Sequence, residues 1–265
     1  MTVLALDFDG VVCDSFREVF ATALATYESL VPGSPVIARL RHRHGDGRWH
    51  DLDLADDPVT VSFVSMMPLG NRAEDFGVSL RAADGFLELT DQGAYDAFFA
   101  TIDRVWRDRF HDEFYRQRDA ARAVEPRGWL DLHEPYRFFL EVLRRRATDA
   151  EIALATAKDR GSAELLLAHL GVGDLFHPEL ILDKDTGIDK TAHLTVLRER
   201  LDVVFESVIF VDDKVNHLER VAPLGVRPVL AGWGFNTPRE HELARRLGFA
   251  VANEDDVETI LFGGG

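Results

Sequence analysis

The strongest constraint in this sequence is an alternation that fills its second half, where short apolar runs are separated by amphipathic stretches of helical period. Glu151-Ile-Ala-Leu-Ala155 reads as a strand, and the stretch from Asp159 to Leu170 reads as a helix stopped by Gly171. Glu179-Leu-Ile-Leu182, Ser207-Val-Ile-Phe-Val211, Val226-Arg-Pro-Val-Leu230 and Gly248-Phe-Ala-Val251 repeat the strand pattern. Helical stretches beginning near Thr191, Val215, Pro238 and Asp255 fall between and after them. Strands that are apolar throughout are covered on both faces, and strands spaced by helices are joined by crossovers. The pattern therefore predicts an α/β fold built on a parallel sheet. Thr2-Val-Leu-Ala-Leu6 is one more such strand, standing alone at the amino terminus.

Residues 15–127, between that strand and the series, follow a different pattern. Ser15-Phe-Arg-Glu18 has the form of a capping box, and Phe16, Val19, Phe20, Ala23, Leu24 and Tyr27 recur on one helical face. A second long helix is expected from about Asp91 to Ala123, and His42 to Pro58, rich in Gly, Asp and Arg, is expected to be a loop. The organisation predicted is a mainly α-helical domain, 15–127, inserted into an α/β domain made of 1–14 and 128–265. The closing Gly263-Gly-Gly265 reads as a frayed end.

Composition narrows the function. With 265 residues and 46% hydrophobic content the chain can bury a sizeable core. A net charge of −16 disfavours a nucleic-acid or anionic-membrane binder, and no run of about 18 apolar residues suggests a span. The single cysteine, Cys13, excludes an internal disulfide and a Cys-based zinc cluster, and it is assigned to packing. MTVLALDFDG lacks the basic start of a signal peptide, so a soluble, cytoplasmic chain is expected. The 30 basic residues include only four lysines, Lys158, Lys184, Lys190 and Lys214. Chemistry that needs an ammonium must draw it from the carboxy-terminal half.

The polar residues that matter fall just after predicted strands. Asp7 and Asp9 follow the first, Thr156 follows Glu151–Ala155, Asp212 and Asp213 follow Ser207–Val211, and Lys190 opens the helix near Thr191. Ligands of open parallel sheets bind outside the carboxyl ends of the strands. Four carboxylates gathered there need a cation, and oxygen donors favour Mg²⁺. Lys190 and Thr156 suit phosphate oxygens, and Gly10 allows close backbone approach, so amides after Asp7 could form an anion nest. Lys184 competes weakly with Lys190, while Lys158 is expected to turn to solvent.

Asp7-Phe-Asp-Gly-Val-Val12, Thr156, Lys190 and Phe210-Val-Asp-Asp-Lys-Val-Asn216 together resemble the four motifs of the haloacid dehalogenase superfamily. The insert resembles its helical type-1 cap, and Gly232-Trp-Gly-Phe235 resembles the tail of its phosphoglycolate-phosphatase-like branch. The resemblance implies a Rossmann-like catalytic core and a cap that sets specificity. It implies that Asp7 attacks phosphorus and that Asp9 is the general acid and base. It also implies that Asp7, the Asp9 carbonyl and Asp213 hold Mg²⁺, with Asp212 as a further direct or water-mediated ligand. Thr156 and Lys190 would grip the phosphoryl group. One position departs: some members carry another Asp four residues after a Gly-Asp pair, and here His217 stands four residues after Asp213.

Asp9 favours phosphoryl transfer over dehalogenation, which lacks that acid. The absence of lysine from residues 1–157 disfavours the phosphonate hydrolases, which need a cap lysine. A phosphatase acting on a small phosphate ester is the leading expectation and a sugar-phosphate mutase the runner-up. A receiver-like phospho-signalling domain would carry the motifs in the opposite order, and a non-catalytic binding protein would not fill every chemical position. Arg17 and Arg72, among the insert's 14 arginines, are candidates for a substrate's carboxylate or second phosphate. His42 and His44, among Arg39, Arg41 and Arg43, read as a solvated loop before an anion patch, and Trp233 as packing beneath the sheet end.

Overall fold

Val3-Leu4-Ala5-Leu6 is apolar and fully buried at every position. A strand can satisfy that only with neighbours on both edges and helices on both faces. The computed structural model describes residues 1–70, 72–187 and 189–263. Its strands in chain order are β1 (Val3–Leu6), β2 (Cys13–Asp14), β3 (Glu134–Pro135), β4 (Glu151–Ala155), β5 (Ile181–Leu182), β6 (Val208–Asp212), β7 (Arg227–Ala231) and β8 (Ala250–Ala252). Six of them form one sheet in the order β5-β4-β1-β6-β7-β8, every pairing parallel, and β2 with β3 makes a short antiparallel ladder. Val3 lies opposite Glu151 and Val208, and Leu6 opposite Leu154 and Val211.

The chain divides into two compact units, Met1–Asp14 with Glu134–Gly265, and Ser15–His133. In the first, the strands are joined through α8 (Arg137–Arg145), α9 (Arg160–His169), α10 (Lys190–Leu201), α11 (Val215–Val221) and α12 (Pro238–Arg246), and α13 (Val257–Phe262) closes it. Val3, Ala5, Ala153, Ala155, Val208 and Phe210 line one sheet face, where Leu194, Leu197, Leu218 and Ala244 pack against them. The alternate residues Leu4, Leu6, Leu154 and Val211 are equally buried, and the period of two puts them on the other face.

The second unit holds α1 (Phe16–Leu30), α2 (Pro35–His44), α3 (Pro58–Met66), α4 (Ala73–Asp84), α5 (Gln92–Thr101), α6 (Arg104–Val124) and α7 (Pro126–Leu130). Val19, Phe20, Ala23, Leu24 and Tyr27 are buried on α1, as their spacing requires. Phe20, Phe63, Phe76 and Phe114 form a chain of ring contacts with centroids 4.9, 5.8 and 5.6 Å apart. The unit extends a few residues beyond Arg127 because α7 packs into it, with Trp129 buried and its Nε1 donating to Glu18 Oε1 at 3.3 Å.

Three local expectations are corrected here. Ser15 makes no side-chain cap bond. Glu18 is instead fully buried and accepts from Arg118 Nε at 2.8 Å and Nη2 at 2.7 Å. The helix predicted over 91–123 is two helices, since Asp103 accepts from Trp106 N at 3.0 Å and starts α6 afresh. The predicted loop over 42–58 begins with the last turn of α2 and holds a 3₁₀ turn, Trp49–Asp51. Gly264 and Gly265, the end of the predicted frayed tail, lie outside the described residues.

Candidate functional site

In the larger unit the predicted site residues sit where the sheet's direction puts them. Asp7 follows β1, Thr156 follows β4, Asp212 ends β6 with Asp213 next, and Lys190 is the first residue of α10 after β5. Parallel strands carry all of these to one edge. Asp7, Thr156, Lys190, Asp212 and Asp213 are all buried. Asp9 is half-buried in the turn after β1.

The ammoniums organise the cluster. Lys190 Nζ lies 2.7 Å from Asp7 Oδ1 and 3.7 Å from Asp212 Oδ2, and it donates to the Ala155 carbonyl at 2.6 Å. Its inward aim follows from the helix start, where Asp189 accepts from Ala192 N at 3.0 Å and sets Lys190 at the first position. Lys158, expected to reach solvent, is buried, and its Nζ lies 3.1 Å from Asp9 Oδ1. Thr156 Oγ1 accepts from Lys158 N at 3.1 Å, which bends the chain inward after β4. Lys214 Nζ lies 3.6 Å from Asp213 Oδ2 and donates to the Phe235 carbonyl at 3.1 Å. Three of the four lysines thus meet a motif carboxylate, while Lys184 is exposed beside Asp185.

The acidic pair splits. Asp212 Oδ1 accepts from Lys214 N at 2.9 Å, and its Oδ2 lies 3.0 Å from His217 Nδ1. Asp213 Oδ2 accepts from Phe235 N at 2.9 Å, which ties it to the loop after β7. Gly10, at φ +79°, passes so close that a Cβ there would lie 2.4 Å from Asp213 Oδ2. The expected anion nest does not form from the amides of residues 10–12: Gly10 N donates to Cys13 O, and Val11 N and Val12 N donate to Phe8 O. Gly10 therefore serves close packing against Asp213. Trp233 Nε1 donates to Val11 O at 3.2 Å, and its ring packs on Phe138 and Phe139.

Charge balance defines what the cluster needs. Burial raises Asp7 above the ordinary carboxylate range, and Asp212 adds to this against the pull of Lys190. Burial also raises Asp213, to about 7, with Asp212 and Asp7 reinforcing it and Lys214 opposing. Burial pushes Asp212 upward too, but His217, Lys190 and the Lys214 amide outweigh it and hold Asp212 low. Lys190 loses charge preference through burial and regains more from Asp7 and Asp212, so it is held above its ordinary value. Two carboxyls that cannot both ionise easily mark a site short of positive charge. Asp7, Asp212 and His217 each offer a ligand atom within 4.8 Å of the others, a donor set that fits a divalent cation.

In the second unit, Arg17 is exposed on α1. Arg72 is held within its own unit by Asp75, with Nε donating to Oδ2 at 2.9 Å and Nη2 to Oδ1 at 3.1 Å.

Residues 1–220 match the family model described as haloacid dehalogenase-like hydrolase. The chain belongs to this family. Membership in the haloacid dehalogenase-like hydrolases makes it an enzyme and accounts for the parallel sheet with Asp7 at its edge. Solved structures carry the same fold. A haloacid dehalogenase-like hydrolase from Streptococcus pneumoniae superposes with TM-score 0.65 at 13% identity, covering 98% of each chain. A chain from Haemophilus somnus described as a predicted phosphoglycolate phosphatase gives TM-score 0.63 at 16% identity, covering 98% of this chain and 97% of its own. A predicted phosphatase from Clostridium acetobutylicum gives 0.60 at 13% identity, covering 99% of each. At these identities the likeness is one of fold. No curated protein matches the sequence. Among the described residues, no helix is long and apolar enough to cross a membrane.

Sequence reasoning gave no role in the cluster to Lys158 or Lys214, and marked His217 only as the position where the motif departs. The available signal was the rarity of lysine: in a chain that otherwise uses arginine, each lysine asks for a reason.

Proposed function

We propose that the protein is a divalent-cation-dependent phosphatase that hydrolyses a small organic phosphomonoester by way of a phosphoryl group carried on Asp7. The observation that carries this reading is the Asp7–Lys190 pair at 2.7 Å, with Asp9 two residues on and Thr156 at the end of the adjoining strand. In the first step an Asp7 carboxylate oxygen bonds to phosphorus, the phosphorus–alcohol bond breaks, and Asp9 gives its proton to the departing oxygen. In the second, Asp9 takes a proton from water, the water oxygen bonds to phosphorus, and the bond to Asp7 breaks to release inorganic phosphate. Lys190 and Thr156 donate to the phosphoryl oxygens throughout. Lys158, 3.1 Å from Asp9, shares its ammonium with those oxygens, which frees Asp9 to carry a proton. Asp7 and Asp212 would hold the cation, Mg²⁺ being the ion their oxygens suit. When bound, it supplies charge that keeps Asp7 ionised and offsets the phosphoryl oxygens.

The reaction fits a cytoplasmic metabolite phosphatase, and phosphoglycolate, from the description of a structural neighbour, belongs in the substrate screen. The test is hydrolysis of p-nitrophenyl phosphate with Mg²⁺ or Mn²⁺ and with a chelator. We expect cation-dependent turnover that disappears in Asp7→Asn. An absence of cation-dependent turnover, or an Asp7→Asn variant as active as the parent, overturns the reading. With a hexose 1-phosphate, ³¹P NMR should show inorganic phosphate; an isomeric ester would identify a mutase instead.

A further inference from the structure

We propose that His217 is a metal ligand, and that with Asp7 and Asp212 it makes a mixed nitrogen–oxygen site that prefers Mn²⁺ to Mg²⁺. The proposal deepens the phosphatase reading and rests on it for the place of the cation. His217 lies in the first turn of α11, where its amide donates to the Lys214 carbonyl at 3.1 Å. That turn points the half-buried imidazole back at the sheet edge, with Nδ1 3.0 Å from Asp212 Oδ2. Ligand atoms of Asp7, Asp212 and His217 lie within 4.8 Å of one another, a spread that one ion can bridge.

One oxygen of the pair's second acid is engaged elsewhere. Asp213 Oδ2 accepts from Phe235 N at 2.9 Å and lies 3.6 Å from Lys214 Nζ. Asp212 therefore faces Asp7, and the third donor beside them is an imidazole. Substituting a neutral nitrogen for a carboxylate removes one negative charge and one hard oxygen. Mg²⁺ binds oxygen in near-ideal octahedra and sheds its waters reluctantly, whereas first-row transition ions accept imidazole beside carboxylate.

The test is spectroscopic. Wild-type protein is loaded with Mn²⁺ and examined by pulsed electron paramagnetic resonance for coupling to ligand ¹⁴N, and Mg²⁺ is then titrated against the bound Mn²⁺. His217→Asp and His217→Gln are measured in parallel, with circular dichroism to confirm folding. We expect nitrogen coupling in the wild type and none in either variant. We also expect the Mn²⁺-to-Mg²⁺ affinity ratio to fall roughly tenfold or more in His217→Asp. Bound Mn²⁺ without nitrogen coupling in the wild type overturns the assignment, whether or not the variants fold. So does coupling that persists in His217→Asp, or an unchanged affinity ratio. The phosphatase reading is judged separately: Mg²⁺-dependent ester hydrolysis without nitrogen coupling retires the ligand and keeps the activity, and coupling without hydrolysis with either ion does the reverse.

Discussion

Gly10 and Gly45 both adopt left-handed backbone, at φ +79° and +90°, yet they answer to different demands. Around Gly45 there is open space, so a methyl group meets only the backbone penalty of a glycine-favoured conformation at ψ −177°, about 1–3 kcal/mol. At Gly10 the same methyl group would strike Asp213 Oδ2, which the Phe235 amide holds in place. Gly10→Ala should therefore lose that stability and most turnover, while Gly45→Ala should lose only the stability. Thermal unfolding and p-nitrophenyl phosphate hydrolysis separate the two, and full activity in Gly10→Ala would break the tie between this turn and the site. The sequence made Gly10 conspicuous for amides aimed at an anion, and the structure adds a contact with Asp213, some two hundred positions away. Lys158 was harder to place, because only the inward bend after Thr156 distinguishes it from a solvated lysine.

At the level of elements, the strands were the most legible part of the chain. β4 runs over the same five residues that its pattern marks, with Glu151 exposed at its start and Ile152 to Ala155 buried, as a strand covered on both faces requires of its interior. The insert was less legible, because its helices answer to distant partners. Nothing local announces that Glu18 gives up a cap to meet Arg118 on α6. Glu18→Ala should destabilise the protein by about 3–5 kcal/mol, the cost of removing one partner from a buried ion pair. Denaturant unfolding measures it, and a loss below about 1 kcal/mol, as for an exposed pair, would show that the pair adds little.

Asp57 joins two helices: it caps α3 by accepting from Val59 N at 2.9 Å and binds Arg43 at 2.8 Å and His44 at 3.0 Å at the end of α2. Burial pushes its carboxyl up, but the His44 bond, the Val59 amide and Arg43 prevail and hold it below the usual range. The folded value lies below the unfolded one, so the stabilisation is complete above about pH 4 and is lost as pH falls through the folded value. Asp57→Asn, which retains the cap, should flatten that acid limb in melting temperatures measured between roughly pH 2 and 7. An unaltered acid limb would assign the acid sensitivity to other carboxyls.

Across the whole molecule, lysine scarcity becomes a measurable pattern of reactivity. Lys158, Lys190 and Lys214 are buried against carboxylates, and Lys184 is exposed. Brief acetylation of the native protein should modify Lys184 and the terminal amine and spare the other three until the fold is lost. Peptide mapping by mass spectrometry reads the result, and early labelling of Lys190 would contradict its burial beside Asp7.

The order of the sheet also has a consequence for how the chain acquires its shape. β1 is made first, yet both of its neighbours come from far downstream, since Leu6 pairs with Leu154 and Val211. During synthesis the segment bearing Asp7 has no edge to join until Glu151–Ala155 has left the ribosome, and it stays open on its other side until Val208–Asp212 follows. The helices of Ser15–His133 find their partners within that stretch and can collapse earlier. An apolar tetrapeptide that must wait so long is exposed to wrong partners, which makes the strand leading to Asp7 the step where a chaperone or a slowed ribosome would help most.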